Sequence, residues 1–228
     1  MILIPVKNLS SAKQRLAAVL DQPARTELAQ AMLHDVLTAL HGWGSRPPVA
    51  VVTSDPYAVM LARSYSFEVI PDPENPGETG AIEMATRVCV DGGVKSTLVI
   101  PADIPLLQAW ELEEILKRAP EEGSVLVPAG DRRGTNAAFR SPADLFPLRF
   151  GNDSFKPHHA AAQATGKPCV VLQLPGIAVD VDNPEDLRQL IAIPGDTRAQ
   201  CLARNYARAG MIHGGTDASS VQLSSGTQ

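Results

Sequence analysis

Short unbroken apolar runs alternate with stretches in which apolar residues return every three or four positions, and the alternation persists over most of the chain. The first run, MILIPVK (Met1–Lys7), reads as a buried strand, and SSAKQRLAAVL (Ser10–Leu20) as a short helix capped by Ser10 or Ser11. From Pro23 to Leu40 the positions Leu28, Met32, Leu33, Val36, Leu37 and Leu40 follow helical spacing, with Pro23 in the first turn and Gly42 as the stop. A strand (PVAVVTS), a helix from about Pro56 to Ser64 and a strand (FEVIP) follow. DPENPGETG is a Pro/Gly-rich loop, and Ala81–Val90 a helix ended by Gly92 and Gly93. STLVIP predicts a strand, Gln108–Ala119 a helix and SVLVPA another strand. Beyond them the rhythm changes: TNAAFRS is read as a strand, SFKPHHAAAQAT as a helix, PCVVLQL as a strand and NPEDLRQLI as a helix.

Strands alternating with helices imply an α/β fold, a mostly parallel sheet covered on both faces. Ligands of such sheets bind at the carboxyl ends of the strands, where Lys7, Thr53, the segment Pro71–Gly80 and Asp103 all fall. The length of 228 residues suits one domain, expected over residues 1–210. The Gly/Ser/Thr-rich residues after Met211 predict a disordered tail.

Composition narrows the partners. No apolar run approaches the roughly 20 residues of a membrane span, and the N-terminus lacks the pattern of a secretory signal. Cys89, Cys169 and Cys201 are too far apart to suggest a disulfide framework or a zinc knuckle, and each is expected to be a small buried hydrophobe. A cytoplasmic protein is expected. A net charge of −5 argues against a broad nucleic-acid-binding face, but not against a small anion held by a few bases.

Three groups of residues are candidates for chemistry. In PVKNLSSAKQRL, the cations Lys7, Lys13 and Arg15 bracket a polar turn that opens the expected helix, a place suited to polyphosphate. Alone, the same bases fit a solvated helix face. Asp103 lies between two prolines in LVIPADIPLL, and Asp180 and Asp182 lie two apart in AVDVDNPEDL, pointing to one side if the backbone is extended. Singly, Asp103 fits a turn and Asp182 a helix cap. Together, three acids at strand ends are better explained by one site for a hard divalent cation. Thr135 and Asn136 in GTNAAF, with Gly151 and Ser154 in FGNDSF, form a candidate second anion site of hydroxyls and backbone amides. His158 and His159 point in different directions on a helix and are expected at the surface or rim. Trp43 and Trp110 read as packing residues.

With these residues in view, the chain resembles the phospho-acid guanylyltransferases of coenzyme F-420 biosynthesis. The likeness spans about Ile2 to Leu190 and rests on PVKNLSSAKQRL, AMLHDVL, PADIPLL, GTNAAF, FGNDSF and DVDNPEDL in that order. It implies a Rossmann-like nucleotidyltransferase fold of the nucleotide-diphospho-sugar transferase type, a three-layer sandwich. It further implies transfer of GMP from GTP to 2-phospho-L-lactate, phosphoenolpyruvate or 3-phospho-D-glycerate. By the same resemblance Thr135, Gly151 and Ser154 would bind the phospho-acid. Asp103, Asp180 and Asp182 would hold magnesium, and Lys13 and Arg15 would meet the GTP phosphates; Lys7 and Thr53, from their places at strand ends, are further candidates for binding the nucleotide. A homodimer is the default assembly. The family often shows a Gly-Leu-Asn-like turn before the third helix, where this chain reads GETGAI and sets Glu78 beside the nucleotide loop. Competing readings are a molybdenum-cofactor guanylyltransferase, a sugar-phosphate cytidylyltransferase, a glycosyltransferase and a nucleotide-binding regulatory module. The first two typically open with a Gly-rich signature where this chain has KNLSSAK.

Overall fold

The structure, a computed structural model, describes residues 1–74, 77–151 and 153–212. Its strands are β1 (Ile2–Pro5), β2 (Val49–Val52), β3 (Glu68–Ile70), β4 (Thr97–Val99), β5 (Gly123–Pro128), β6 (Thr135–Ser141) and β7 (Cys169–Val171). They form one sheet in the order β3-β2-β1-β4-β6-β5-β7. All pairings are parallel except those of β6, which runs antiparallel to both β4 and β5.

Side chains along each strand alternate between two apolar cores, as the two-residue period demands. Ile2 and Ile4 belong to one core and Leu3 to the other; Val49 and Val51 are divided from Ala50 and Val52 in the same way. The first core is closed by α1 (Gln22–Gly42), α2 (Pro56–Ser64), α4 (Ala109–Arg118), α6 (Pro184–Ala192) and α7 (Arg198–Arg208). The second is closed by α3 (Glu78–Asp91) and α5 (Phe155–Ala164). The result is the three-layer α/β sandwich expected.

Several local expectations need correction. Ser10–Leu20 is not a helix: it makes two single 3-10 turns, Leu9–Ser11 and Gln14–Leu16, divided by Lys13 in the left-handed region at φ 55°. The cap is Asn8, whose side chain accepts the Ser10 N–H, and not Ser10 or Ser11. Helix α3 begins at Glu78, inside the segment expected to be loop. Trp110 is 52 % exposed, whereas Trp43 is buried. Of the cysteines only Cys89 is buried. Helix α7 has no counterpart among the sequence expectations, because its inward stripe is Ala199, Ala203 and Tyr206, a weak apolar signal. It is docked on α1, where Asp35 accepts the N–H groups of Arg198 and Ala199 at 2.9 and 2.8 Å. Met211 and Ile212 still pack against the first core. The expected tail beyond them, from residue 213, lies outside the described residues. Among the described residues, no helix is long and apolar enough to cross a membrane.

The buried carboxylate of Glu111 ties α4 to the loop after β7. It accepts N–H groups from Gln108 at 3.0 Å, Gly176 at 2.7 Å and Ile177 at 3.3 Å. A side chain at position 176 would run into the Leu106 carbonyl and Glu111 itself, so glycine is required there. Glu111→Leu leaves three backbone donors without an acceptor and is expected to cost about 3 kcal/mol. Urea unfolding followed by circular dichroism measures the loss.

Candidate functional site

The antiparallel course of β6 brings its first residues to the carboxyl ends of its neighbours. Val99 of β4 pairs with Ala138, so Thr135 and Asn136 lie beside the turn that carries Asp103. The loop after β7 reaches the same place, where the Val181 N–H donates to the Asp103 carbonyl at 3.2 Å. From the other flank comes the loop after β1, held down by Asp55. That carboxylate accepts the Leu9 N–H at 3.0 Å while also capping α2 through the Ala58 N–H.

At the centre, the Lys13 ammonium is shared. Its Nζ lies 2.7 Å from Asp103 Oδ2 and 2.7 Å from Asp182 Oδ1. Arg15 approaches Asp182 from the exposed side at 3.8 Å. Burial disfavours the lysine's charge, but the two carboxylates outweigh it and hold its pKa above the ordinary value. Asp182 is only partly buried; that burial pushes its carboxyl up, but Lys13 and then Arg15 outweigh it and keep the carboxyl below the usual range. Asp180 is fixed by the Asn136 amide, which donates to Asp180 Oδ1 at 3.0 Å and to the Ile177 carbonyl at 2.9 Å. Burial first, then the charges of Asp103 and Asp182, push the Asp180 carboxyl up to about 6 against the pull of Asn136.

A cavity of about 420 Å³ opens over this cluster. Its wall includes Lys7, Lys13, Arg15, Glu78, Asp103 and Asp182. Burial and the nearby Asp103 raise the Glu78 carboxyl to about 7, against the pull of Lys7 and Lys13. Thr53 is not brought to this cavity; it is buried, and its hydroxyl accepts the Asp55 N–H at 3.0 Å.

The donor set suits a hard divalent cation such as magnesium. All three acids offer oxygen, and Asp103 and Asp182 already converge on one cation, the lysine ammonium. Among the described residues no three acid, His or Cys side chains are placed to cage an ion by themselves. Magnesium bound with phosphate oxygens and water needs only one or two carboxylates.

A second cluster adjoins the first through Thr135 and Asn136. Ser154 Oγ accepts the Thr135 N–H at 3.1 Å, and His158 Nδ1 lies 2.9 Å from Thr135 Oγ1. Thr135, Ser154 and His158 are all nearly inaccessible to solvent. Gly151, with φ 136°, stands exposed at the start of the loop, in a backbone conformation that favours glycine. Arg133 and Asp153 pair across this loop at 2.5 Å. Thr79, next to the cavity-lining Glu78 at the start of α3, ties the loop to that helix by accepting the Phe150 N–H at 2.9 Å.

His158 corrects the expectation of a surface residue. It is 1 % exposed, on the buried face of α5 with Ser154 and Ala162. That spacing of four was the available signal. Burial and the Arg140 charge lower its pKa to about 4, whereas the unfolded imidazole titrates near 6.5. The folded state therefore takes up its proton later than the unfolded state as pH falls. Its contribution to stability is full above pH 6.5 and is lost progressively down to about pH 4. The expected loss over that window is about 3 kcal/mol. Urea midpoints at several pH values test this, and the slope should shrink in His158→Gln.

Comparison with known proteins gives a consistent grouping. Residues 1–220 match the family model described as guanylyl transferase CofC like. The chain is 36% identical over 204 residues to the phosphoenolpyruvate guanylyltransferase of Roseiflexus castenholzii, covering 90% of this chain and 93% of that one. It is 38% identical over 193 residues to the enzyme of the same name from Rubrobacter xylanophilus, with 84% and 93% covered. To the 3-phospho-D-glycerate guanylyltransferase of Colwellia psychrerythraea it is 33% identical over 190 residues, with 83% and 90% covered. Among solved structures, a nucleotide-diphospho-sugar transferase from Desulfovibrio desulfuricans G20 superposes with a TM-score of 0.73 at 17% identity, covering 92% of this chain and 95% of that one. A 4-diphosphocytidyl-2C-methyl-D-erythritol synthase gives 0.57 at 14% identity, covering 83% and 95%. At these identities the structures speak for the fold alone.

Proposed function

The chain belongs to the CofC-like guanylyltransferase family, and on that premise we propose that it transfers GMP from GTP to the phosphate of phosphoenolpyruvate, releasing pyrophosphate, in coenzyme F-420 biosynthesis. The observation that supports this reading is a cavity walled by Lys7, Lys13 and Arg15 beside the three acids, with the Thr135–Ser154 hydroxyl cluster next to it and joined to Asp180 through the neighbouring Asn136. The cavity receives the nucleotide and the cluster the phospho-acid. Relatives named for phosphoenolpyruvate support that acceptor over its congeners.

In the reaction a phosphate oxygen of the acid forms a bond to the α-phosphorus of GTP, and the bond from that phosphorus to the bridging oxygen breaks. The acid's phosphate is already mostly ionised near neutrality, since its second pKa is about 6, so no general base is needed. The demand is to hold two anions together and to stabilise pyrophosphate as it leaves. Lys7, Lys13 and Arg15 supply positive charge on the cavity wall, and Thr135 and Ser154 orient the acid. Asp103, Asp180 and Asp182 would hold magnesium, which when bound screens the triphosphate. Asn136 aims Asp180, and Glu111 secures the loop that carries it.

The direct test measures pyrophosphate release from GTP and magnesium with phosphoenolpyruvate, with each of the other two acids, and with none. Release dependent on phosphoenolpyruvate is expected. Release that depends on another acid would correct the acceptor, and release with none of them would remove the reaction class.

A further inference from the structure

Behind the hydroxyl cluster stands a buried imidazole to which the transfer reaction itself gives no role. His158 Nε2 accepts the backbone N–H of Arg149 at 2.7 Å. A neutral imidazole has one N–H, so the proton must sit on Nδ1. Nδ1 is 2.9 Å from Thr135 Oγ1 and therefore donates to it. Ser154 Oγ, having accepted the Thr135 N–H, directs its own proton to the same oxygen at 3.4 Å. A threonine hydroxyl has two lone pairs and one proton. Both lone pairs of Thr135 are thereby engaged, and among the described contacts its proton meets no acceptor.

We propose that His158 is a positioning residue whose Nδ1–H fixes the Thr135 hydroxyl as a donor to an oxygen of the phospho-acid. The proposal rests on the reading of Thr135 and Ser154 as the acceptor site. Its physical content is directional. Without the imidazole donor, the threonine proton can turn inward to Ser154, presenting a lone pair to an incoming anion. With it, the dipole of the hydroxyl is set for a negative ligand before that ligand arrives, so binding costs no reorientation. The Phe150 ring packs edge-on against the imidazole at 5.2 Å between centroids, which restricts ring rotation. The lowered pKa of the imidazole keeps it neutral at working pH, as the tautomer requires.

Two measurements on the full chain test this. Nitrogen-15 NMR of the ligand-free protein reads the tautomer, and Nδ1–H is expected. Steady-state kinetics then compares two substitutions. His158→Gln can still accept the Arg149 N–H but places no donor at Thr135. His158→Asn restores a donor near the position of Nδ1 and loses the acceptor. The glutamine variant is expected to raise KM for the phospho-acid about tenfold with KM for GTP unchanged, and the asparagine variant to recover most of that loss. An Nε2–H tautomer in an active enzyme overturns the proposal alone. So does a glutamine variant whose acceptor KM stays at the unsubstituted value, or rises only together with KM for GTP and a lowered melting temperature. If the unsubstituted protein releases no pyrophosphate with any phospho-acid, the acceptor reading fails and the proposal falls with it.

Discussion

Asp103→Asn is expected to lower kcat/KM for acid-dependent pyrophosphate release by about two to three orders of magnitude. Asparagine keeps the shape of the side chain and the Val181 contact, which uses only the backbone carbonyl of residue 103. What disappears is one of the two carboxylates that contact Lys13, at the place where the proposed function puts the triphosphate. The ammonium then answers to Asp182 alone, and a divalent cation loses a charged ligand. Stability should change little, because the Asp103 side chain is 27% exposed and its replacement can still accept a hydrogen bond. Initial rates over a magnesium titration separate the two consequences. A variant that turns over like the unsubstituted enzyme at limiting magnesium would end the metal assignment.

Lys13→Met is expected to lower activity by about 100-fold or more, comparable with loss of one well-placed electrostatic group. Methionine has nearly the reach of lysine and no charge. It leaves Asp103 and Asp182 facing one another without the cation each now contacts at 2.7 Å. Repulsion between them should cost stability as well, though less than for a fully buried pair, because Asp182 is 42% exposed. Since Lys13 and Asp103 act through one contact, the two substitutions should be less than additive when combined. Kinetics of the single and double variants, with thermal melts beside them, give the cycle. Strict additivity would mean that the two groups work independently. A Lys13→Met enzyme with normal rate and normal KM for GTP would remove the lysine from the nucleotide site.

Much of this organisation was legible in the order of residues. The unbroken apolar runs of β1, β2, β4 and β5 and the helical spacing of α1 follow from which side chains must leave water, and the sequence states that directly. The acid in PADIPLL and the pair in DVDNPEDL were visible as charges at the ends of apolar runs. Less legible was the loop Ser10–Leu20, which has helical composition yet breaks at Lys13. There the hold of Asp55 on Leu9 and the attraction of Lys13 to two distant acids override local propensity. Helix α7 escaped because an alanine stripe carries little apolar contrast, and only the matching surface of α1 gives it a place.

What the sequence by itself determined, then, is the α/β layering, the positions of the strand ends and the inventory of anions and cations available there. Those depend on hydrophobic periodicity and on chain connectivity, both local properties. Tertiary structure alone decided which charges meet. The reversal of β6 sets Thr135 and Asn136 beside Asp103, Lys13 finds acids 90 and 169 residues away, and His158 turns inward to command a hydroxyl. Such contacts depend on strand order and on which side of each strand end a side chain leaves, and no local pattern encodes either.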